Sequence, residues 1–347
     1  MSSHAGRGDR SRSAIRAKAL GGVGGVVVGL GLAALAHAAP VELLNVSHDP
    51  TRELWRDLNR RFVATYEAAT GQHVTIRQSH GGSGTQARAV IDGLEADVVT
   101  LALFSDTDAI RKAGLINPGW AARLPNRSVP YTSTVVFVVR RGNPKGVRDW
   151  PDLVKPGVAV VTPNPKTSGN GKLAFLAAWA STVTRGGSER DAVEFVTKLY
   201  RQTPVLDSGA RGAAITFVQR KIGDVHLAWE SEAALEVAEA PAGEVEIVRP
   251  PVSILAEPPV AVVDANVDRR HTRGPAEAYL SFLFTDAAQE IIARHHYRPT
   301  NPSVFAKYRS QFPPVRLVPV TACVRDWSEA QEKFFADGKL FDQIVRR

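Results

Sequence analysis

Cysteine is almost missing from this chain. One thiol, Cys323, in 347 residues excludes an internal disulfide, and Cys323 itself reads either as a buried apolar thiol or as a reactive one. Metal-site spacing is missing too. His48, His73 and His80 fall on different elements, and the adjacent His295 and His296 point to different faces of a helix, so neither a metal centre nor any other cofactor is expected. No phosphate-binding P-loop is present, because Gly84 is followed by Thr85-Gln86 and Gly171-Lys172 by Leu173. The serine-hydrolase elbow G-x-S-x-G fails around Ser83, where Thr85 takes the last position, and around Ser168, where Lys166 takes the first. These gaps argue against an enzyme. The basic pairs Arg140-Arg141 and Arg269-Arg270 are scattered, so no nucleic-acid partner is expected.

What is present is the composition of a globular protein, 44% hydrophobic and 22% charged, long enough for two domains. Residues 1–38 resemble a secretory signal. Arg7, Arg10, Arg12, Arg16 and Lys18 precede an apolar run from Ala19 to Ala36, and Ala36-His37-Ala38 offers a small-x-small cleavage site. A membrane anchor is the alternative, disfavoured by six glycines in that run and its marginal length. The expected product is a periplasmic chain starting near Ala39. Losing five cations and one anion with this segment lowers the net charge from +8 to +4, a mild bias toward anionic ligands.

After residue 38, short apolar runs alternate with amphipathic segments, the pattern of an α/β fold. Val41 to Val46, Val74 to Gln78, Asp97 to Leu103, Thr132 to Val139, Val158 to Thr162, Val225 to Trp229 and Ala256 to Val263 read as strands. Asp49 is expected to cap a helix opened by Pro50, with Leu54, Leu58, Phe62 and Tyr66 along one face and Gly71 at its end. Three times a strand runs into a small polar, glycine-rich loop and then a helix: Ser79–Gly84, Lys166–Gly171 and Asp207–Gly212. Such a loop leaves backbone N–H groups unpaired at the positive end of a helix, which suits an anion. One such loop is commonly only a turn with a cap; three in one chain weaken that reading.

These loops and their flanks resemble the periplasmic sulfate-binding proteins of the sulfate/thiosulfate ABC transporter family. Asn45-Val46-Ser47-His48-Asp49-Pro50-Thr51-Arg52-Glu53-Leu54 resembles the opening of that family, and Gln78 to Gly84, Thr162 to Asn170 and Leu206 to Gly212 its later signatures. Ala228-Trp229-Glu230 and Tyr297-Arg298-Pro299 are similar to two more, so the likeness spans residues 40–347. It implies a two-lobe periplasmic-binding-protein fold of type II, with the ligand cleft between lobes joined by crossing hinge strands. The implied division is 39–133 and 259–347 for the first lobe, with C-terminal helices, and 134–258 for the second. It also implies a monomer that serves membrane permease subunits.

Carried over by motif, Ser83, Ser168, Gly169, Asn170, Ala210 and the indole of Trp229 would donate hydrogen bonds to sulfate or thiosulfate, with Asp49 and Arg211 behind them. His48 stands where many members carry tyrosine, and Asn170 where some carry glycine. The chemistry is coherent: sulfate has no proton at neutral pH, so a pocket of donors alone suits it. Hydrogen phosphate would bury an O–H without an acceptor, at about 1–3 kcal/mol or more. A receptor for phosphate or molybdate is the alternative. Since none of these donors titrates between about pH 5 and 8, they predict a flat pH profile.

Overall fold

The computed structural model describes residues 39–346; the expected signal segment and its cleavage site lie outside them. Two sheets organise the chain. The first has four strands in the order Val260–Val262, Val98–Thr100, Val41–His48, Val74–Gly81. Val41–His48 runs parallel to both neighbours, and Val260–Val262 closes the edge antiparallel. Val98 and Val99 are fully buried, as expected of an apolar strand covered on both faces. The second sheet has five strands in the order Leu206–Asp207, Val160–Pro163, Val225–Trp229, Val135–Arg140, Val245–Val248. Val135–Arg140 is antiparallel to both of its neighbours, and the other pairings are parallel.

The chain passes between the sheets before Val135 and after Ile254, and these two crossings bind each other; a third passage, Arg316–Val318, runs beside Val252–Ile254 and leads the C-terminus back to the second sheet. Ser133 N–H donates to the Ala256 carbonyl at 3.0 Å, and Ala256 N–H returns the bond at 2.9 Å. Thr134 and Ser253 add hydroxyl bonds to the carbonyls of Ile254 and Val135. Two neighbouring strands tied at one bridge form a hinge that can bend while keeping its register.

The helix Arg52–Thr70 buries Leu54, Leu58 and Phe62 as its spacing predicts, together with Trp55, while Tyr66 is half-buried. Gly71 ends it with φ +68°, and its N–H reaches the Glu67 carbonyl. The expected Asp49 cap is not made. Asp49 begins a 3-10 turn, Asp49–Thr51, and its carboxylate is drawn to Arg52 at 2.9 Å. A charged partner one turn along outcompetes the backbone N–H groups.

The C-terminal elements Gln331–Phe335 and Leu340–Val345 pack on the helix Gly169–Val183, which follows a strand of the second sheet. Phe334 and Phe335 each stand 5.3 Å from the Phe175 ring. Lys166 fastens them, bonding the Phe335 carbonyl at 2.9 Å and Asp337 at 2.8 Å. Among the described residues no helix is long and apolar enough to cross a membrane.

Candidate anion site

The three glycine-rich loops converge where the two sheets face each other. Each opens a helix: Ser83–Ile91 from the first sheet, Gly169–Val183 and Ala210–Val218 from the second. The first N–H groups of a helix have no partner within it and sit at its positive end. Packing at the junction is tight enough to require glycine. A Cβ on Gly82 would stand 2.5 Å from the Thr167 carbonyl oxygen, and one on Gly169 would stand 2.5 Å from the Ala102 Cβ. A Cβ on Gly209 would collide with the Asp49 carboxylate. Thr167 also bonds the Ser208 carbonyl at 2.8 Å, joining two of the loops.

Each expected donor is buried here. Ser168 caps its helix by accepting from Gly171 N–H at 3.4 Å, which leaves its own O–H proton to give. Gly169 and Asn170 are the first residues of that helix, and Asn170 turns its amide toward the Leu227 carbonyl at 3.4 Å, so toward an anion it offers its backbone N–H. Ala210 is the first residue of the third helix. Trp229 ends the strand Val225–Trp229, fully buried, and its indole N–H has no partner among the described residues. A buried donor left unpaired costs about 1–3 kcal/mol, so this nitrogen marks a place where a ligand oxygen would be stabilised.

Ser83 differs from the rest. Its hydroxyl donates to Asp106 at 2.6 Å and accepts from Ala102 N–H at 3.0 Å. In this arrangement its O–H proton is already committed, and the group at the head of the helix is its N–H. Asp106 in turn pairs with Lys172 at 3.2 Å, with both side chains buried. That pair links the helix Phe104–Lys112 to Gly169–Val183, and so ties the two sheets together beside the loops. Sequence reasoning overlooked both residues; the available signal was a lysine inside a helix whose other residues there are small or apolar.

Behind the loops, Asp49 holds Arg52 and abuts Gly209, while Arg211 reaches Glu53 at 3.4 Å and Glu239 at 3.7 Å. Arg211 therefore also joins the two halves. His48 is buried; its Nδ1 lies 3.0 Å from the Thr100 carbonyl, and its ring centroid is 5.2 Å from that of Trp229. Burial lowers the pKa of His48 to about 4, against the opposing effect of its Thr100 bond. His80 is likewise lowered to about 4, by burial and then by Arg52. Both rings are neutral at pH 7. A cavity of about 1040 Å³ opens beside it: Gly84, Asp106 and Lys172 line that space, but Trp229 and Ala210 do not. Among the described residues no His, Cys, Asp and Glu cluster has metal-binding geometry.

The close approach of Gly169 to the first sheet gives a direct test. Gly169→Ala adds a methyl that meets Ala102 only when the halves are together, at an overpacking cost of about 1–3 kcal/mol. Sulfate affinity measured by calorimetry should fall roughly 5- to 150-fold, with the melting temperature of the ligand-free protein unchanged. Unchanged affinity would show that the two surfaces need not meet in the complex.

Two α/β sheets joined by paired crossings, with helix N-termini converging between them, define a solute-binding protein of the periplasmic-binding fold. Residues 55–298 match the model of the bacterial extracellular solute-binding proteins, and the chain belongs to that family, among its sulfate- and thiosulfate-binding members. The sulfate-binding protein of Escherichia coli (strain K12) is 51% identical over 89% of this chain and 94% of its own length. A thiosulfate-binding protein of Pseudomonas aeruginosa is 49% identical over 92% and 96%. The solved sulfate-binding protein SubI from Mycobacterium tuberculosis H37Rv superposes with a TM-score of 0.77 at 32% identity, covering 85% of this chain and 99% of that one. A periplasmic thiamin-binding protein, 18% identical, shares the fold with a TM-score of 0.66. The family is one of solute carriers, not enzymes.

Proposed function

We propose that this chain is the periplasmic substrate-binding component of an ABC importer and carries sulfate or thiosulfate to the membrane permease subunits as a monomer. The observation that carries this reading is the buried, unpartnered indole N–H of Trp229 beside three converging helix starts. The N–H groups of Ser83, Gly169, Asn170 and Ala210, the Ser168 hydroxyl and the Trp229 indole form the donor set. The lobes are read as 39–133 with 259–347 and as 134–258; the two sheets support this division except for the C-terminal helices, which pack on the second lobe's helix Gly169–Val183. Residues 1–38 serve as the signal segment, with cleavage between Ala38 and Ala39. Neutral donors at helix termini spread the ligand's charge without burying a counter-cation, whose desolvation would be costly.

Two carboxylates beside the donor set are already engaged. Asp49 is paired with Arg52, and Asp106 is occupied by Ser83 and Lys172. A hydrogen phosphate O–H would find neither of these two carboxylates free, and discrimination by an unpaired polar group reaches roughly 10⁴-fold. Calorimetric titration of desalted protein should show binding of sulfate or thiosulfate, undiminished by EDTA, and phosphate weaker by about that factor. Preference for phosphate or molybdate, or loss of binding on chelation, would overturn the reading.

A further inference from the structure

We propose that the Thr167 hydroxyl sets the width of the anion site and, through it, the relative affinity for sulfate and thiosulfate. The proposal rests on the sulfate/thiosulfate reading above and concerns a residue outside the donor set inferred from the motifs. The strands Val160–Pro163 and Leu206–Asp207 run side by side, with Pro163 opposite Asp207. Their ladder ends where Asn164 N–H donates to the Asp207 carbonyl at 2.8 Å. Past that pair the two chains part into separate loops, one leading to the helix Gly169–Val183 and the other to Ala210–Val218.

Thr167 crosses the gap. Its Oγ1–H donates to the Ser208 carbonyl at 2.8 Å, in preference to the carbonyl of Asn164 in its own loop at 3.4 Å. Among the described residues this is the one hydrogen bond between the two loops beyond the end of the ladder. Branching at Cβ leaves the Thr167 side chain few rotamers, so the bond acts as a strut of fixed length. It stands one residue before Ser168 and, on the other loop, two before Ala210.

The donor from the first sheet is registered on the same strut. Gly82 immediately precedes Ser83, and a Cβ on it would stand 2.5 Å from the Thr167 carbonyl oxygen and 3.1 Å from that of Ser208. All three helix starts are thus indexed to one bond between loops. Thr167 itself is only half-buried, so its hydroxyl can be removed without opening a core.

Width separates the two anions. Thiosulfate replaces one sulfate oxygen by a larger sulfur on a longer bond, and that sulfur is the weaker hydrogen-bond acceptor. A site held at a fixed span can meet every oxygen of sulfate at once, because hydrogen bonds keep to a narrow range of distances. With the strut removed, the loops part at their free ends. Sulfate then loses bonds that thiosulfate, the longer ion, keeps.

The test is calorimetric titration of the wild type, Thr167→Val and Thr167→Ser with sodium sulfate and sodium thiosulfate, the weaker ligand being measured by competition. Thr167→Val keeps the branching and loses the hydroxyl. Its sulfate affinity should fall roughly 2- to 12-fold and its thiosulfate affinity less, so that their ratio drops by at most that factor. Thr167→Ser keeps the hydroxyl and should restore both affinities and their ratio. A purely structural role would move the two affinities together and leave the ratio alone. Thr167→Ala removes the same hydroxyl and takes the place of Thr167→Val if that variant folds poorly. Wild-type sulfate affinity in Thr167→Val, an equal fall for both anions, or the same loss in Thr167→Ser would each overturn the proposal and leave the sulfate/thiosulfate reading standing. If the wild type binds neither anion, it is the underlying reading that fails.

Discussion

Replacing Trp229 by phenylalanine is expected to weaken sulfate binding roughly 10- to 150-fold while the protein remains folded. The substitution keeps an aromatic ring in the core beside His48 and removes only the indole N–H, which has no partner among the described residues. A hydrogen bond to a charged group contributes about 1.5–3 kcal/mol, and in a shut junction water cannot replace it. Trp55 is the matched control. It too is fully buried with an unpartnered indole nitrogen, but its ring packs on Tyr279, 5.9 Å between centroids, in the core under the helix Arg52–Thr70. Trp55→Phe should leave affinity unchanged, and ligand should alter the fluorescence of the wild type and of this control through Trp229. If Trp229→Phe binds like wild type, the indole is packing alone and the site lies elsewhere.

Lys172→Met should have a still larger effect, and for a different reason. The Lys172 side chain acts on the site through Asp106, which it neutralises at 3.2 Å while that carboxylate holds the Ser83 hydroxyl. Removing one member of a buried ion pair leaves an uncompensated charge, typically at about 3–5 kcal/mol. The pair forms only when the two halves stand together, so the cost falls on closure around the ligand. Affinity should drop on the order of 10²- to 10³-fold, and the double change Asp106→Asn with Lys172→Met should recover much of it. Full affinity in Lys172→Met would show that the pair is not required for the bound arrangement. A fall in the ligand-free melting temperature matching the lost affinity would place the cost on the fold.

The sequence by itself determined the alternation of strands and helices, the three loops that open helices, and the tryptophan at the end of its strand. These are local properties: apolar periodicity, glycine and proline punctuation, and short motifs whose residues act within a few positions of one another. The resemblance added the family and the order of its donors. Tertiary structure decided the rest. Asp106 meets Ser83 across 23 positions and Lys172 across 66, and no local pattern announces either contact. Asp49 could cap a helix by its position in the chain, but Arg52 takes its carboxylate. The C-terminal aromatics settle on Phe175 because the helix Gly169–Val183 presents an apolar surface there. His48 illustrates the division best. Its identity was plain in the sequence, but its tautomer depends on the Thr100 carbonyl and the ring it packs beside is that of Trp229. Those neighbours come from strands far along the chain, Thr100 being 52 positions away and Trp229 farther still. Which strands lie side by side is set by sheet order, which is a property of the folded whole.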